Sequence, residues 1–439
     1  MKTDFKFMFI GAGSTTFTLG LVSDILHEED LIRSGELRLV DVVPEALDDA
    51  YGAVCAMIKT AGRDFKVTKH LDFKEAAPGV DFAFFTFVTG GYMSWEKDIE
   101  ICEKHKVVQT VGDTIGPGGL IRAVRNVPVV VEVCKYLEKV SPGAWAINYS
   151  NPEGALALAI EAYTNIRTFS LCHGTPGTAA MLARRAFGAE PERLKYNAGG
   201  INHLTWITQL KLDGEDVFSQ LREKLIKCGL DREEPISFEL FDIYGAYPAP
   251  GDWHVNEFFP HYLRENVKKE KNPNMHGFDT AAMIENRKGW KDRVDKIKRG
   301  ELGFREYGTS GETATHFIRA LTTGEPTTEM CSVQNKGYIE NMSGDIAVEV
   351  PVYIDEFGLH PKKVALADAI AAKCETLGRE YKLIVDGAVE CDRNKLLAAM
   401  MIDPLCCNCD FPERLLDELI TAYLPMLPGG WKKTYKNKR

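Results

Sequence analysis

Apolar residues recur along the chain in short runs, each closed by a glycine, an acid or an amide. Phe5-Lys6-Phe7-Met8-Phe9-Ile10 is a strand-length run closed by Gly11-Ala12-Gly13-Ser14, and Thr18 to Leu26 then reads as a helix. Leu37 to Val40 is a second run, ending at Asp41, and Glu45 to Thr60 is again helical in character. Val80 to Val88 ends at Thr89-Gly90-Gly91, Trp145 to Asn148 at an Asn-rich turn, and Thr168 to Cys172 at His173-Gly174. Val127 to Leu137 suits a helix between them. Strands alternating with helices predict an α/β fold, a Rossmann-like doubly wound parallel sheet covered on both faces.

After about residue 180 the alternation weakens. Leu204 to Leu212 and Ile346 to Ile354 read as strands, and Lys362 to Tyr381 and Glu413 to Tyr423 as helices. Pro235 to Phe241 is expected to open a loop-rich region. Glu265 to Arg299, dense in Lys, Glu and Asp, is expected to be a solvated helical face. At 439 residues the chain is too long for one Rossmann-like unit. The expected division is a nucleotide-binding unit over 1–180 and a C-terminal α+β unit over 181–439. The latter would carry substrate, metal and oligomer contacts. No Gly/Ser/Pro linker separates the two, so they are expected to pack directly.

Composition adds exclusions. Apolar residues make up 45% and charged residues 26%, which suits a globular protein rather than a disordered or fibrous one. The net charge of −10 predicts no nucleic-acid partner. No apolar run reaches membrane-spanning length and no signal-like segment precedes the first glycine turn. A cytoplasmic protein without membrane attachment is expected. Eleven cysteines, an odd number, suit reduced thiols rather than a disulfide framework. Cys406-Cys407-x-Cys409 has no partner His or second pair nearby and reads as a coincidental cluster.

The first chemistry lies at the glycine turn. Gly11-x-Gly13 follows a strand and precedes a helix, where a pyrophosphate can approach helix N-terminal amides. Thr16 stands where the usual third glycine would be. Asp41, ending the second strand, can accept both ribose hydroxyls and would repel a 2′-phosphate, which favours NAD over NADP. Gly11, Gly13, Ser14, Asp41 and Asn148 are the expected cofactor-binding residues.

Three further strand ends carry polar groups. Asn148-Tyr149-Ser150-Asn151-Pro152 offers amides, which donate and accept, or is a simple Asn-Pro turn. Cys172-His173 is open to two functional readings, a catalytic pair or a soft metal ligand beside a proton donor. A buried thiol beside a surface imidazole is the bland alternative. Gly199-Gly200-Ile201-Asn202-His203 adds an amide and an imidazole. Cys172 with His203 would make an open two-ligand metal site, not a closed structural one.

Taken in order, these pieces resemble glycoside hydrolase family 4, the NAD- and divalent-metal-dependent glycosidases with a lactate/malate-dehydrogenase-like nucleotide domain. The resemblance rests on Gly11-Ala12-Gly13-Ser14 with Phe17-Thr18; Gly90-Gly91; Gly112-Asp113-Thr114-Ile115-Gly116-Pro117-Gly118-Gly119 with Arg122; Asn151-Pro152; Cys172-His173-Gly174; and Gly200-Ile201-Asn202-His203. Gly251-Asp252, Asn335-Lys336-Gly337-Tyr338-Ile339 and Val348-Glu349-Val350-Pro351, through Asp355, Gly358 and Pro361, continue it.

The resemblance implies a cycle in which NAD oxidises sugar C3, a base removes the C2 proton, the glycosidic bond is eliminated, water adds and the hydride returns. It implies Cys172 and His203 as ligands of a divalent metal, Mn²⁺ above others, and Asn151 and Asn202 as holders of sugar hydroxyls. Asp252 is implied as the C2 base, with Tyr244 and Tyr247 as rivals. His173 stands where phosphosugar members carry Asp as leaving-group acid. Val88 replaces the Arg that meets a phosphate, so the expected substrate is an unphosphorylated α-glucoside, α-galactoside or α-uronide. Arg122 and Arg125 either meet a uronate carboxylate or are structural. A homodimer or homotetramer is implied. Two other readings stay open: an NAD-dependent 2-hydroxy-acid dehydrogenase, which uses no metal, and a non-catalytic nucleotide sensor.

Overall fold

The computed structural model describes residues 2–436. Its first half lays down β1 (Asp4–Ile10), α1 (Thr15–His27), β2 (Ser34–Val40), α2 (Pro44–Ala61), β3 (Asp64–His70), β4 (Phe82–Phe85), α3 (Gly91–Lys104), α4 (Gly116–Val140), β5 (Trp145–Asn148), α5 (Glu153–Tyr163) and β6 (Arg167–Ser170). These strands are parallel, in the order β3-β2-β1-β4-β5-β6. That order is the doubly wound one, and its reversal beside β1 opens a crevice at the strands' C-terminal ends. Phe5, Phe7 and Phe9 are buried together with Phe82 and Phe84, and the Phe9 and Phe84 rings stack at 5.0 Å. Each such side chain taken out of water contributes about 1.5–3 kcal/mol.

The second half adds α6 (Gly174–Met181), β7 (Leu194–Ile201), β8 (Leu204–Leu212), α7 (Pro235–Tyr244), β9 (Tyr247–Ala249), α8 (Asp252–Phe258), α9 (Thr280–Lys298), β10 (Thr327–Gln334), β11 (Ala347–Asp355) and α10 (Asp368–Glu390). Its strands continue the same sheet past β6 in the order β10-β11-β7-β8-β9, now antiparallel. Ser332 of β10 lies opposite Ser170, and Glu349 of β11 opposite Gly200. One sheet therefore runs from the strand that ends at the glycine turn to the second half. α9 returns to the first half, where Lys291 and Lys298 both meet Asp49 of α2 at 2.7 Å.

Some expectations give way. Residues 235–241 are not loop but the start of α7, because Pro235 occupies the first helical position, where its missing N–H costs nothing. β3 is a strand that the apolar pattern does not announce; it pairs only with β2, and Lys66 and Lys69 face water. The helix expected from Lys362 begins at Asp368, after a hairpin return that ends at Pro361. α9 is not solvated all round, since Val294 and Ile297 are buried. Among the described residues, no helix is long and apolar enough to cross a membrane. The eleven cysteines are unpaired.

Candidate active site

The glycine turn is built as the strand ends require. Gly11 has φ 84°, and a Cβ there would lie 2.5 Å from Phe87 Cβ, so no other residue fits. The Gly13 amide donates to Asp41 Oδ2 at 2.8 Å, and the Val43 amide donates to Asp41 Oδ1 at 2.9 Å. Asp41 is thus brought against the turn, and it fixes the loop after β2 as well. Ser14 precedes α1 and makes no side-chain cap bond, so the first-turn amides have no side-chain acceptor from it. Asn148 is spent locally: its Oδ1 accepts from the Ser150 amide at 3.0 Å and its Nδ2 donates to the Ser150 carbonyl at 3.2 Å.

Beside this turn lies a cavity of about 410 Å³. Asn151, Cys172, His173, His203, Glu234 and His254 line it. Five separate segments of chain supply these six residues. Among the described lining residues there is no lysine or arginine.

Cys172, just past β6, places Sγ 3.3 Å from His203 Nε2. His203 occupies the β7–β8 turn at φ 63°, a left-handed conformation that costs a non-glycine residue about 1–3 kcal/mol. Its Nδ1 meets Thr114 Oγ1 at 2.7 Å, which fixes the ring and leaves Nε2 toward Cys172. Burial, and after it His254, pushes the His203 proton affinity down to about 3, so the ring is neutral. Burial, and after it Glu349, pushes the Cys172 thiol well up. A neutral imidazole facing a sulfur is a donor set for a soft or borderline cation.

Two residues that the sequence reading did not single out as donors complete the set. Asp113, His203 and His254 each offer a ligand atom, all within 4.8 Å of one another. The His254 ring packs 4.3 Å from that of His203. Burial alone would raise the Asp113 carboxyl, but the Arg122 charge, with the Thr114 hydrogen bond, holds it below its ordinary value. Its loop is gripped by Glu257, whose Oε1 accepts the amides of Thr110, Val111 and Gly112 at 2.8–3.0 Å. Separation in sequence hid this cluster; the cue was that His254 lies two residues after the matched Gly251-Asp252 turn.

Of the two asparagines expected to hold sugar hydroxyls, Asn151 lines the cavity and Asn202 is buried outside its lining. Asn151 Nδ2 donates to Asp113 Oδ2 at 2.8 Å. Asn202 Nδ2 reaches Glu349 Oε2 at 3.5 Å, and its Oδ1 is a buried acceptor with no hydrogen-bond partner. His173 sits at the start of α6 with Nδ1 3.1 Å from Glu312 Oε1. That hydrogen bond holds its proton more tightly than usual.

Asp252 is placed differently from the expectation. Its Oδ1 accepts the Ser237 amide at 2.7 Å, and its Oδ2 accepts the Ile236 amide at 3.0 Å and Asn272 Nδ2 at 3.2 Å. The carboxylate is turned into the first turn of α7, outside the cavity lining, because that helix start presents unpaired N–H groups. Tyr244 packs on Trp206 at 5.0 Å and Tyr247 is buried; neither lines the cavity. Arg125 is fully buried in a two-point pair with Asp98 at 2.8 and 2.6 Å. Arg122 lies over the Trp95 ring, 3.7 Å from Asp113, and stays behind the cavity wall.

Comparison with known proteins follows the same geography. The model of Family 4 glycosyl hydrolase matches residues 6–187, and that of the Family 4 glycosyl hydrolase C-terminal domain matches residues 198–406. An α-galactosidase of Bacillus subtilis (strain 168) is 28% identical over 98% of this chain and 100% of that protein. An α-galacturonidase of Thermoanaerobacterium saccharolyticum is 30% identical over 98% of this chain and 97% of that protein. The solved 6-phospho-α-glucosidase from gut microorganisms, in complex with NAD and Mn²⁺, superposes with a TM-score of 0.83 at 21% identity, covering 97% and 99% of the two chains. A malate dehydrogenase of Salinibacter ruber shares the fold at a TM-score of 0.51 and 13% identity, over 89% of this chain and 99% of that one. The two family matches take in the glycine turn, the Cys172–His203 pair and the Glu234 wall. The chain belongs to family 4 of the glycosyl hydrolases.

Proposed function

We propose that the protein hydrolyses an unphosphorylated α-glycoside, with a neutral α-galactoside preferred to an α-glucoside or an α-uronide. The observation that carries the reading is the 3.3 Å approach of Cys172 Sγ to His203 Nε2 in a cavity also lined by Asn151. The preference for a neutral sugar rests on charge. Glu234 in the wall and Asp113 behind it disfavour an anionic substituent, and Arg122 and Arg125 are turned toward Asp113 and Asp98. The full-length α-galactosidase relative supports the galacto configuration.

The residues fit a nicotinamide dinucleotide and a divalent cation. Side chains at Gly11 and Gly13 would collide with Phe87 and Asp41, so the turn keeps its backbone bare for a pyrophosphate. Asn202 Oδ1 is a buried acceptor awaiting a donor. Gly11, Gly13, Ser14 and Asp41 would hold the nucleotide. Cys172 and His203 would hold the cation, with Asp113 and His254 within reach. When bound, the nicotinamide supplies a reversible hydride acceptor for sugar C3, and the cation, taken as Mn²⁺, a Lewis acid for the neighbouring oxygens.

The remaining work falls to side chains. Asp113 fixes Asn151 by accepting from its Nδ2, which orients the amide toward the sugar. Asn202 accepts a sugar hydroxyl through Oδ1. His173, whose proton the Glu312 hydrogen bond holds more tightly, delivers a proton to the departing glycosidic oxygen.

The test is p-nitrophenol release from α-galactoside, α-glucoside, α-galacturonide and 6-phosphorylated substrates, run anaerobically with NAD and Mn²⁺ and with each omitted in turn. Turnover of the α-galactoside that needs both is expected. Preference for the uronide would reverse the charge argument. Net NADH from a hydroxy acid, with no glycoside cleaved, would sink the proposal.

A further inference from the structure

We propose that Glu234 is the base that takes the C2 proton from the sugar, and that Asp252 positions it. The inference rests on the glycosidase reading above. Glu234 sits between a short helical turn and α7, and its Oε2 accepts the Asp252 amide N–H at 2.7 Å. The same side chain lines the large cavity with Cys172, His203 and His254. It also lines a second cavity of about 230 Å³, walled by Arg232, Asp252 and Asn272 among others. Glu234 therefore stands in the partition between the two. A carboxylate there takes a proton on the sugar side and returns it to water on the other.

Asp252 is poorly placed for this work, since three donors already occupy its oxygens. Burial raises the Asp252 carboxyl, and the Ile236 and Ser237 amides offset part of that rise by favouring its charged form. Burial, and after it that neighbouring charge, pushes the Glu234 proton affinity up to about 7. Glu233 adds a like charge from its own turn, and Tyr247 of β9 faces the pair. A base that titrates near the working pH is the efficient kind.

The step balances as follows. Hydride loss from C3 to the nicotinamide leaves a ketone there. The Glu234 carboxylate forms an O–H bond as the C2–H bond breaks. That electron pair becomes the C2=C3 double bond, with the charge on O3. As the charge returns from O3, the C3 ketone re-forms, the C2=C3 pair becomes a C1=C2 double bond and the C1–O bond breaks; the leaving oxygen takes its proton from His173.

The experiment uses the full chain with NAD and Mn²⁺. D-galactose is incubated in D₂O with wild type, Glu234→Gln and Glu234→Ala. Deuterium entry at C2 is read by NMR, and nicotinamide reduction by absorbance. The expected result is loss of C2 exchange by about 10²–10⁴-fold in both variants. Nicotinamide reduction is retained, and added formate restores exchange in Glu234→Ala. C2 exchange at the wild-type rate in Glu234→Gln overturns the assignment. Joint loss of exchange and reduction, with no rescue by formate, also overturns it, since that marks a structural role. A wild type that never reduces its nicotinamide with any sugar overturns the glycosidase reading itself, a different signature.

Discussion

Cys172 and His203 meet across two different parts of the sheet. The sulfur comes from the end of β6, the last parallel strand, and the imidazole from the β7–β8 turn of the antiparallel half, with 3.3 Å between Sγ and Nε2. Thr114 holds the far nitrogen of the ring, so the orientation of the pair is set before any cation arrives.

Cys172→Ser should therefore separate two properties. Mn²⁺ affinity, measured by calorimetry, is expected to fall by at least ~100-fold, above the range for loss of an outer partner. NAD affinity should stay near wild type, because Phe87 and Asp41 build the glycine turn. Parallel loss of both would mean that the sulfur shapes the fold rather than holding the metal.

The pH profile of kcat/KM should have two limbs. Glu234 must be ionised to accept a proton, so activity falls as pH drops below about 7. Asp252→Asn removes the neighbouring charge that helps raise Glu234, and this limb should move to lower pH. His173 must be protonated, and its Glu312 hydrogen bond raises it, so activity falls as pH climbs through its raised value. Glu312→Gln should bring the alkaline limb down. Limbs that stay put in both variants would exclude these two groups as the titrating pair.

Arg125→Ala tests the structural assignment of that arginine. It would strand Asp98, fully buried in the pair, as an unpaired charge. The expected loss is about 3–5 kcal/mol in urea unfolding. A stable variant with selectively weakened binding of uronides would return Arg125 to the substrate list.

The sequence was most legible where function depends on neighbours along the chain. The Gly11–Gly13 turn follows an apolar strand, and Asp41 ends the next one, so their meeting could be read from order alone. Cys172 and His203 were legible as an open two-ligand pair from their residue types at two strand ends, and the run of family motifs added to that reading. Asp113, His254 and Glu234 were not, because what joins them is packing between segments far apart in sequence. Asp252 shows the converse. A motif fixed its position but not its direction, and the exposed N–H groups of α7 claimed its carboxylate. Pro235 misled for a related reason, since a proline that breaks a helix interior also starts one.

The shared sheet has a consequence for the coenzyme. With Ser332 against Ser170 and Glu349 against Gly200, the strand that ends at the glycine turn and the strands around the Cys172–His203 pair belong to one sheet. Many two-substrate enzymes shut like a jaw on each turnover. A coenzyme restored at the end of every cycle, as the proposed reaction requires, would have no need to leave while sugars come and go.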